Sequence, residues 1–329
     1  MAKGAKRKGV ILVTGAAGFI GSHTTDLLLT AGYRVVGVDN FRTGRRENLR
    51  AALACPEFVI HEADVAEPEV LADIAAECRP AAVIHFAALV SVQESLADPP
   101  LNFRLNVAAT QWVAEAARRQ KIPRIVFASS AAVYGEGSDA PQREPDLRSR
   151  PLSPYGAAKL ASENLLFGHA AACDTVVRCQ RFFNVYGPRQ DPASPYSGVI
   201  SIFDREYRAG RPVTIFGDGR QTRDFVSVHD VARANVLAAT RPNLSSGVAN
   251  ICTGRATSLW RLAEIFAARH PEVKPPRRAA ARRGDIRHSI GAPARARAEL
   301  GFKAEWSIED GLRELIDLPH HGPHKTRRH

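Results

Sequence analysis

Tyr155 and Lys159 stand four residues apart in the stretch SPYGAAKLASENLL, residues 153–166. Residues at that spacing share one face of a helix, so a helix here makes the phenol and the ammonium neighbours. The stretch reads as one: Ser153 suits the N-cap, Pro154 the first helical position, and Ala157, Ala158, Leu160, Ala161, Leu165 and Leu166 favour helix. An ammonium beside a phenol lowers its pKa and poises it as a proton acceptor. Taken alone, the pair has a second reading. A buried Tyr can be covered by a Lys whose stem packs and whose head reaches water.

A second constellation lies near the start. VTGAAGFIG places Gly15, Gly18 and Gly21 between an apolar run and a helical pattern. A glycine trio after a strand and at the head of a helix allows a tight turn, and a pyrophosphate can then approach the helix N-terminus. Asp39 ends the next apolar run, 24 residues after Gly15. A carboxylate there hydrogen-bonds the adenosine ribose hydroxyls and repels a 2′-phosphate, which favours NAD over NADP.

These residues need a scaffold, and the chain alternates short apolar runs with helical patterns. Strands are expected at VILVTG (10–15), YRVVGVD (33–39), FVIHEAD (58–64), AAVIHFAA (81–88), RIVFASS (124–130) and TVVRCQRFFNVYG (175–187). Helical patterns separate them, the Tyr/Lys helix between the last two. Such alternation with Val/Ile-rich runs means an α/β, Rossmann-type doubly wound parallel sheet. After residue 187 the character changes to a Pro/Gly/Ser-rich loop, a helix near 199–209 and the strand VTIFG. Segments 225–240 and 248–254 again read as helix and strand, and short helices are expected near 293–300 and 307–318. The expected division is a cofactor domain over 1–187 plus about 225–260. A smaller interleaved α/β substrate domain takes 188–224 and 261–329.

Composition narrows the class. The 329 residues are 45% hydrophobic, ample for a core, and no apolar run is long enough for a membrane span. The basic start lacks an apolar signal region, so a cytoplasmic protein is expected. The five cysteines are scattered, with no CxxC or Cys/His spacing for zinc, which reads as free thiols. The net charge of +11 is partly terminal, in Lys3, Lys6, Arg7 and Lys8 and in Lys325, Arg327 and Arg328. With no helix-turn-helix or aromatic platform beside them, solvated tails are favoured over nucleic-acid binding. The stretch from Lys274 to Arg297 is either a solvated face or a hold for an anionic substrate.

The motifs TGAAGFIG (14–21), DN (39–40), AD (63–64), HFAA (85–88), SSAAVYG (129–135), YGAAK (155–159), RFFNVYG (181–187), GDGRQTRDFVSVHDVA (217–232) and RRGDIRHS (282–289) follow in order along nearly the whole chain. Together they resemble the extended short-chain dehydrogenases/reductases, in their nucleotide-sugar epimerase and dehydratase group. The resemblance implies Tyr155 as acid/base, Lys159 as its partner on the nicotinamide ribose, and Ser130 on the reacting sugar oxygen. It implies NAD held by Gly15, Gly18, Phe19, Ile20, Gly21, Asp39, Asn40, Asp64, Val65, Phe86, Ala87, Ala88, Asn106 and Phe182, besides Tyr155 and Lys159. It implies a UDP-sugar substrate contacted by Ser91, Ser130, Asn184, Val199, Ile215, Arg223, Arg282, Asp285 and Ser289. Arginines suit diphosphate recognition. A homodimer through helices near 100–120 and 153–170 is also implied, with Trp112 and Leu166 as candidates for that face.

Dehydratases of the group carry Asp-Glu directly after the catalytic hydroxyl residue, where this chain has Ala131 and Ala132. Without that carboxylate pair, loss of water has no catalyst. RQDPASPYSGVI and GDIRHSIG resemble bacterial UDP-N-acetylhexosamine 4-epimerases, and Ser289 leaves volume for an N-acetyl group where a Tyr or Cys would not. The expectation is reversible 4-epimerisation of UDP-N-acetylglucosamine, with UDP-glucose as a second substrate, through a 4-keto sugar and bound NAD. Three alternatives stand beside it: uronic-acid sugars met by Arg287 or His288, decarboxylation or reduction on the same fold, and a non-catalytic NAD-binding module.

Overall fold

The structure is a computed structural model that describes residues 8–136, 140–146, 150–191, 198–281 and 286–318. Its first half runs β1 (Val10–Thr14), α1 (Phe19–Thr30), β2 (Arg34–Asp39), α2 (Arg50–Leu53), β3 (Phe58–Glu62), α3 (Val70–Cys78) and β4 (Ala82–His85). Short helices α4 (Val92–Ala97) and α5 (Pro99–Asn102) lead through a wider π turn, Phe103–Ala108, into α6 (Ala109–Arg119). β5 (Arg124–Ser130), α7 (Pro154–Ala172) and β6 (Val176–Phe182) follow. The Val/Ile runs of β1, β2, β4, β5 and β6 are buried on both faces because helices cover both, as parallel sheets require, whereas β3 at the edge leaves Val59 exposed. The sheet has seven parallel strands in the order β11-β6-β5-β4-β1-β2-β3, where β11 is Gly247–Ile251.

The second half comprises β7 (Asn184–Tyr186), α8 (Val199–Arg208), β8 (Thr214–Phe216), β9 (Thr222–Arg223), β10 (Phe225–Ser227), α9 (Val228–Thr240) and then β11. β12 (Thr257–Ser258), α10 (Leu259–Arg269), β13 (Arg277–Ala279), β14 (His288–Ser289) and α11 (Ile308–Asp317) complete it. One expected strand, 175–187, is two. At Phe183 the hydrogen-bond partner changes: Phe183 N–H donates to Ile251 O, but Asn184 N–H donates to Asp224 O. β7 therefore leaves the large sheet and pairs with β10.

Three main cores result. One lies between the sheet and α1 and α9, another between the sheet and α3, α6 and α7, and a third joins α8, α10 and α11 around Phe203, Tyr207 and Phe266. Ala296, Leu300 and Phe302 are fully buried in the first core, so the chain returns to the large unit once more before α11. Leu166, expected on a dimer face, is fully buried in the second core and has no surface to offer a partner, while Trp112 is half-buried. Among the described residues, no helix is long and apolar enough to cross a membrane.

Candidate active site

The C-terminal ends of β1, β2, β4, β5 and β6 converge on one edge, where doubly wound sheets bind ligands. At the β1–α1 turn Gly15 has φ of +69°, and a Cβ on Gly21 would lie 2.0 Å from Gly15 O. Side chains are excluded there, so backbone alone lines the approach to the N-terminus of α1, a cradle that suits a pyrophosphate. Gly18 caps α1, Phe19 and Ile20 form its first turn, and all three are half-buried.

Asp39 is buried at the end of β2, and its carboxylate accepts from Ala17 N–H and Phe41 N–H, both at 2.8 Å. Burial raises its pKa, and the two backbone donors oppose the shift. The chain's own backbone thus fixes the carboxylate under the glycine turn, with lone pairs left for ribose hydroxyls. Asn40 is exposed and turns its Oδ1 to Arg42 N–H. Asp64 is half-buried, accepts from Ala66 N–H and pairs with Arg104 at 3.3 Å, above the buried Val65. Phe86, Ala87 and Ala88 extend half-buried from β4.

Asn106 sits in the π turn at 2% exposure, its amide donating to Leu89 O and Asn102 Oδ1. Its Oδ1 is buried without a hydrogen-bond partner among the described residues. An orphaned acceptor and a side-chain-free cradle along one sheet edge fit a dinucleotide of the NAD type.

The predicted reacting groups come together at the β5–α7 junction. Ser153 caps α7 by accepting from Gly156 N–H. A Cβ on Gly156 would lie 2.6 Å from Ala132 O, so glycine lets the helix start press onto the turn after β5. That approach brings the Ser130 hydroxyl into hydrogen-bonding contact with the Tyr155 phenol. Lys159 is 3% exposed, 5.9 Å from the Tyr155 ring centroid and 4.8 Å from that of Phe127, and Nζ donates to Ala128 O at 2.9 Å. The second reading of the pair, a surface Lys covering a core Tyr, is thereby excluded: the Lys is the more buried of the two.

The electrostatics correct the expected direction. Burial raises the Tyr155 phenol above its usual value, with Ser130 the opposing influence. Burial also lowers Lys159 to about 7, opposed by Glu163. Of the two groups beside the phenol, Ser130 is therefore the one that lowers its pKa.

On the substrate side, a cavity of about 310 Å³ is lined by Asn184, Tyr186, Gln190, Val199, Arg223 and Phe225, among others. It starts two residues beyond Phe182, which is buried and pairs with Ser130 across β5 and β6. Ser289 is half-buried and in register with Arg223 across β9 and β14. Two expected contacts are constrained by the fold. Ile215 is fully buried in the third core, where its side chain packs rather than facing the cavity. Ser91 is 3% exposed and its hydroxyl accepts Glu94 N–H as the cap of α4, a structural task. Arg282 and Asp285 lie outside the described residues. Arg287, named for a uronic carboxylate, is exposed and paired with Asp218, and His288 bonds Thr222.

Sequence reasoning missed the groups that back the site. His85 is buried between Thr14, at 2.7 Å from Nδ1, and Thr110, at 3.4 Å from Nε2. Thr14 Oγ1 accepts from Ala87 N–H and Thr110 donates to Asn106 O. That network assigns the Nε2–H tautomer. Burial, with Lys159 nearby, holds His85 down to about 3. Arg181 and Glu163 form a fully buried bidentate pair. The signals were present: a His inside the apolar run AAVIHFAA, and a Glu four residues beyond Lys159.

Comparison with known proteins agrees with this architecture. The pattern of the NAD dependent epimerase/dehydratase family matches residues 11–252. The chain is 39% identical over 313 residues to a UDP-glucose 4-epimerase of Mycolicibacterium smegmatis, covering 93% of this chain and 97% of that one. The crystal structure of a UDP-glucose 4-epimerase from Thermotoga maritima, with UDP-glucose, superposes with a TM-score of 0.87 at 36% identity, covering 93% and 97%. A UDP-N-acetylglucosamine 4-epimerase from Methanobrevibacter ruminantium, in complex with UDP-N-acetylmuramic acid, gives 0.88 at 33%, covering 94% and 98%. With a glycine cradle, a paired Tyr and Lys and relatives aligned nearly end to end, this chain is an enzyme that belongs to the NAD dependent epimerase/dehydratase family.

Proposed function

We propose that the chain is a UDP-sugar 4-epimerase whose preferred pair is UDP-N-acetylglucosamine and UDP-N-acetylgalactosamine, with UDP-glucose and UDP-galactose as slower substrates. The observation that carries the reading is the assembly of Ser130, Tyr155 and Lys159 at the β5–α7 junction, with Ala131 and Ala132 where elimination would need carboxylates, and a separate cavity lined by Asn184 and Arg223 supports it. NAD, held along the cradle from Gly15 to Gly21 and by Asp39, Asp64, Phe86 to Ala88, Asn106 and Lys159, supplies a reversible hydride acceptor.

The protein's part is to move a proton and hold the sugar. Tyr155 takes the proton of the 4-hydroxyl as that carbon becomes a ketone, and returns a proton after the other face is presented. Ser130 holds the same oxygen by hydrogen bond. Arg223 and Asn184 grip the diphosphate, so binding energy stays on the nucleotide and the sugar can turn. No net oxidation occurs, so cofactor stays bound between turnovers. Ser289, small and beside Arg223, leaves room for the N-acetyl group. A homodimer belongs to the same proposal.

The test uses purified protein without added cofactor, given UDP-N-acetylglucosamine, UDP-glucose or UDP-glucuronic acid separately and followed by NMR. The 4-epimer of the acetylated sugar should form fastest, and Tyr155→Phe should leave only a trace of turnover. Conversion of UDP-glucose or UDP-glucuronic acid alone would overturn the substrate assignment. No epimer of any sugar, even with NAD added, would overturn the reaction.

A further inference from the structure

Three residues of α7 lie on one face at successive turns: Tyr155, Lys159 and Glu163. Tyr155 is half-buried at the site, whereas Lys159 and Glu163 are 3% and 2% exposed. The third member is the most firmly held. Glu163 accepts two hydrogen bonds from Arg181, at 2.9 and 2.7 Å, and a third from the Ser129 hydroxyl. Arg181 is itself fixed by donating to Glu144 O and by lying 4.8 Å from the Tyr134 ring. Tyr134 donates to Asn250 Oδ1, and Asn250 N–H donates to Glu144 Oε1, which closes a ring of buried polar groups around the guanidinium.

A buried ion pair of this kind seldom adds net stability over apolar packing, which leaves its purpose open. Its neighbour offers one. A buried ammonium costs several kcal/mol unless an opposite charge is close, and the hydrogen-bond acceptor given to Lys159 Nζ is one neutral carbonyl, Ala128 O. Around Lys159, β4 presents His85, which is neutral at working pH, and β5 presents the Phe127 ring and the Ser129 hydroxyl. β6 presents Arg181 and Cys179, and α7 presents Tyr155 and Glu163. Among these groups Glu163 is the one whose charge favours the ammonium.

We propose that Glu163 is a positioning residue for the reaction at Tyr155: fastened by Arg181 and Ser129, its carboxylate keeps Lys159 an ammonium and so governs the pH range in which Tyr155 can exchange its proton. The proposal rests on the reading of Tyr155 as acid/base. Arg181 and Ser129 matter because a free carboxylate at this place would swing onto Lys159 as a direct ion pair and pull Nζ away from the site. Clamped, it acts across the helix turn without moving the amine.

The chain has eight lysines, few enough to follow individually by NMR with carbon-13 at Cε. Lys159 would be titrated in the protein as purified with its cofactor, in wild type and in Glu163→Gln. The midpoint is expected to fall by about one pH unit in the variant, with the alkaline limb of kcat moving by the same amount and KM within about twofold. Glu163→Asp should restore most of the shift. An unmoved Lys159 midpoint, with only a lower melting temperature, would assign the pair to stability and overturn the proposal. If Glu163→Gln does not fold, the double variant E163Q/R181M removes both members of the clamp and leaves no unpaired guanidinium, so that Lys159 alone stays buried without an opposite charge; a fall in its midpoint is expected again, and constancy overturns the proposal. If wild type turns over no UDP-sugar, the parent reading fails, and the Lys159 titration still decides what Glu163 does.

Discussion

Lowering the pH from 7 to 5 should destabilise this protein, and His85 sets a calculable share. The imidazole is 1% exposed, stacked 5.9 Å from the Phe127 ring, and has both nitrogens engaged by Thr14 and Thr110. Its folded-state pKa is pushed from 6.5 down to about 3, chiefly by burial. The fold therefore favours the neutral ring. The resulting stability is fully present above pH 6.5 and is lost as pH falls towards about 3. Between those limits the unfolded chain takes up a proton that the folded chain refuses. Linkage puts the loss at about 2 kcal/mol by pH 5 and about 4–5 kcal/mol if the folded pKa is traversed. For a chain of this length, 2 kcal/mol corresponds to about 3 °C in melting temperature. The assay is urea denaturation at pH 7 and pH 5 for wild type and His85→Asn, which keeps a hydrogen-bonding group beside Thr14. The variant should be less stable at pH 7 but should lose about 2 kcal/mol less on acidification. His23, lowered to about 4 mainly by burial, contributes in the same window in both proteins. Identical acid sensitivity in the two proteins would refute the reasoning, because it would mean His85 is no more reluctant to charge when folded than when unfolded.

Other expectations follow from single contacts. Gly21→Ala puts a methyl 2.0 Å from Gly15 O and should lower NAD retention at least about tenfold, read by cofactor content after gel filtration. Arg181→Met leaves Glu163 buried without its partner and should cost about 3–5 kcal/mol in denaturant unfolding. Leu166→Ala should cost about 2–5 kcal/mol while leaving the elution volume unchanged, since Leu166 is core; a change in oligomeric state would contradict its placement. Ser289→Tyr should reduce kcat/KM for UDP-N-acetylglucosamine about tenfold or more relative to UDP-glucose, and equal losses on both sugars would remove Ser289 from the selectivity argument.

The parts of the site that were legible in the sequence are those whose residue type answers a local need. Gly15 and Gly21 had to be glycine because backbone passes where Cβ would stand, and such a need repeats at a readable spacing. Tyr155 and Lys159 were legible because the helix that joins them is local and capped by Ser153. What depended on long-range packing was not. Nothing near Ile215 announces that its side chain turns into the third core. Residues 175–187 read as one strand because every residue suits a strand, and only the switch of partner from Ile251 to Asp224 divides it. The lowered pKa expected for the phenol failed for a related reason. Sequence places the ammonium beside it but does not show how deeply Lys159 is buried. The Glu163–Arg181 clamp joins residues 18 apart, one on α7 and the other on β6, and periodicity carries no sign of such a meeting.

The order of strands in the large sheet has a consequence for synthesis. β11 forms the edge beside β6, and Ala296, Leu300 and Phe302 close the core on that side. A nascent chain that has emerged as far as Phe182 thus holds six of the seven strands, the proposed reacting groups Ser130, Tyr155 and Lys159 and the whole glycine turn, yet ends in an uncovered strand edge. Such edges template association with other chains. At about 5–20 residues per second, the ribosome needs roughly 6–24 s more to deliver residue 302. During that interval the half-made protein carries the groups proposed to react before it can shield its own sheet.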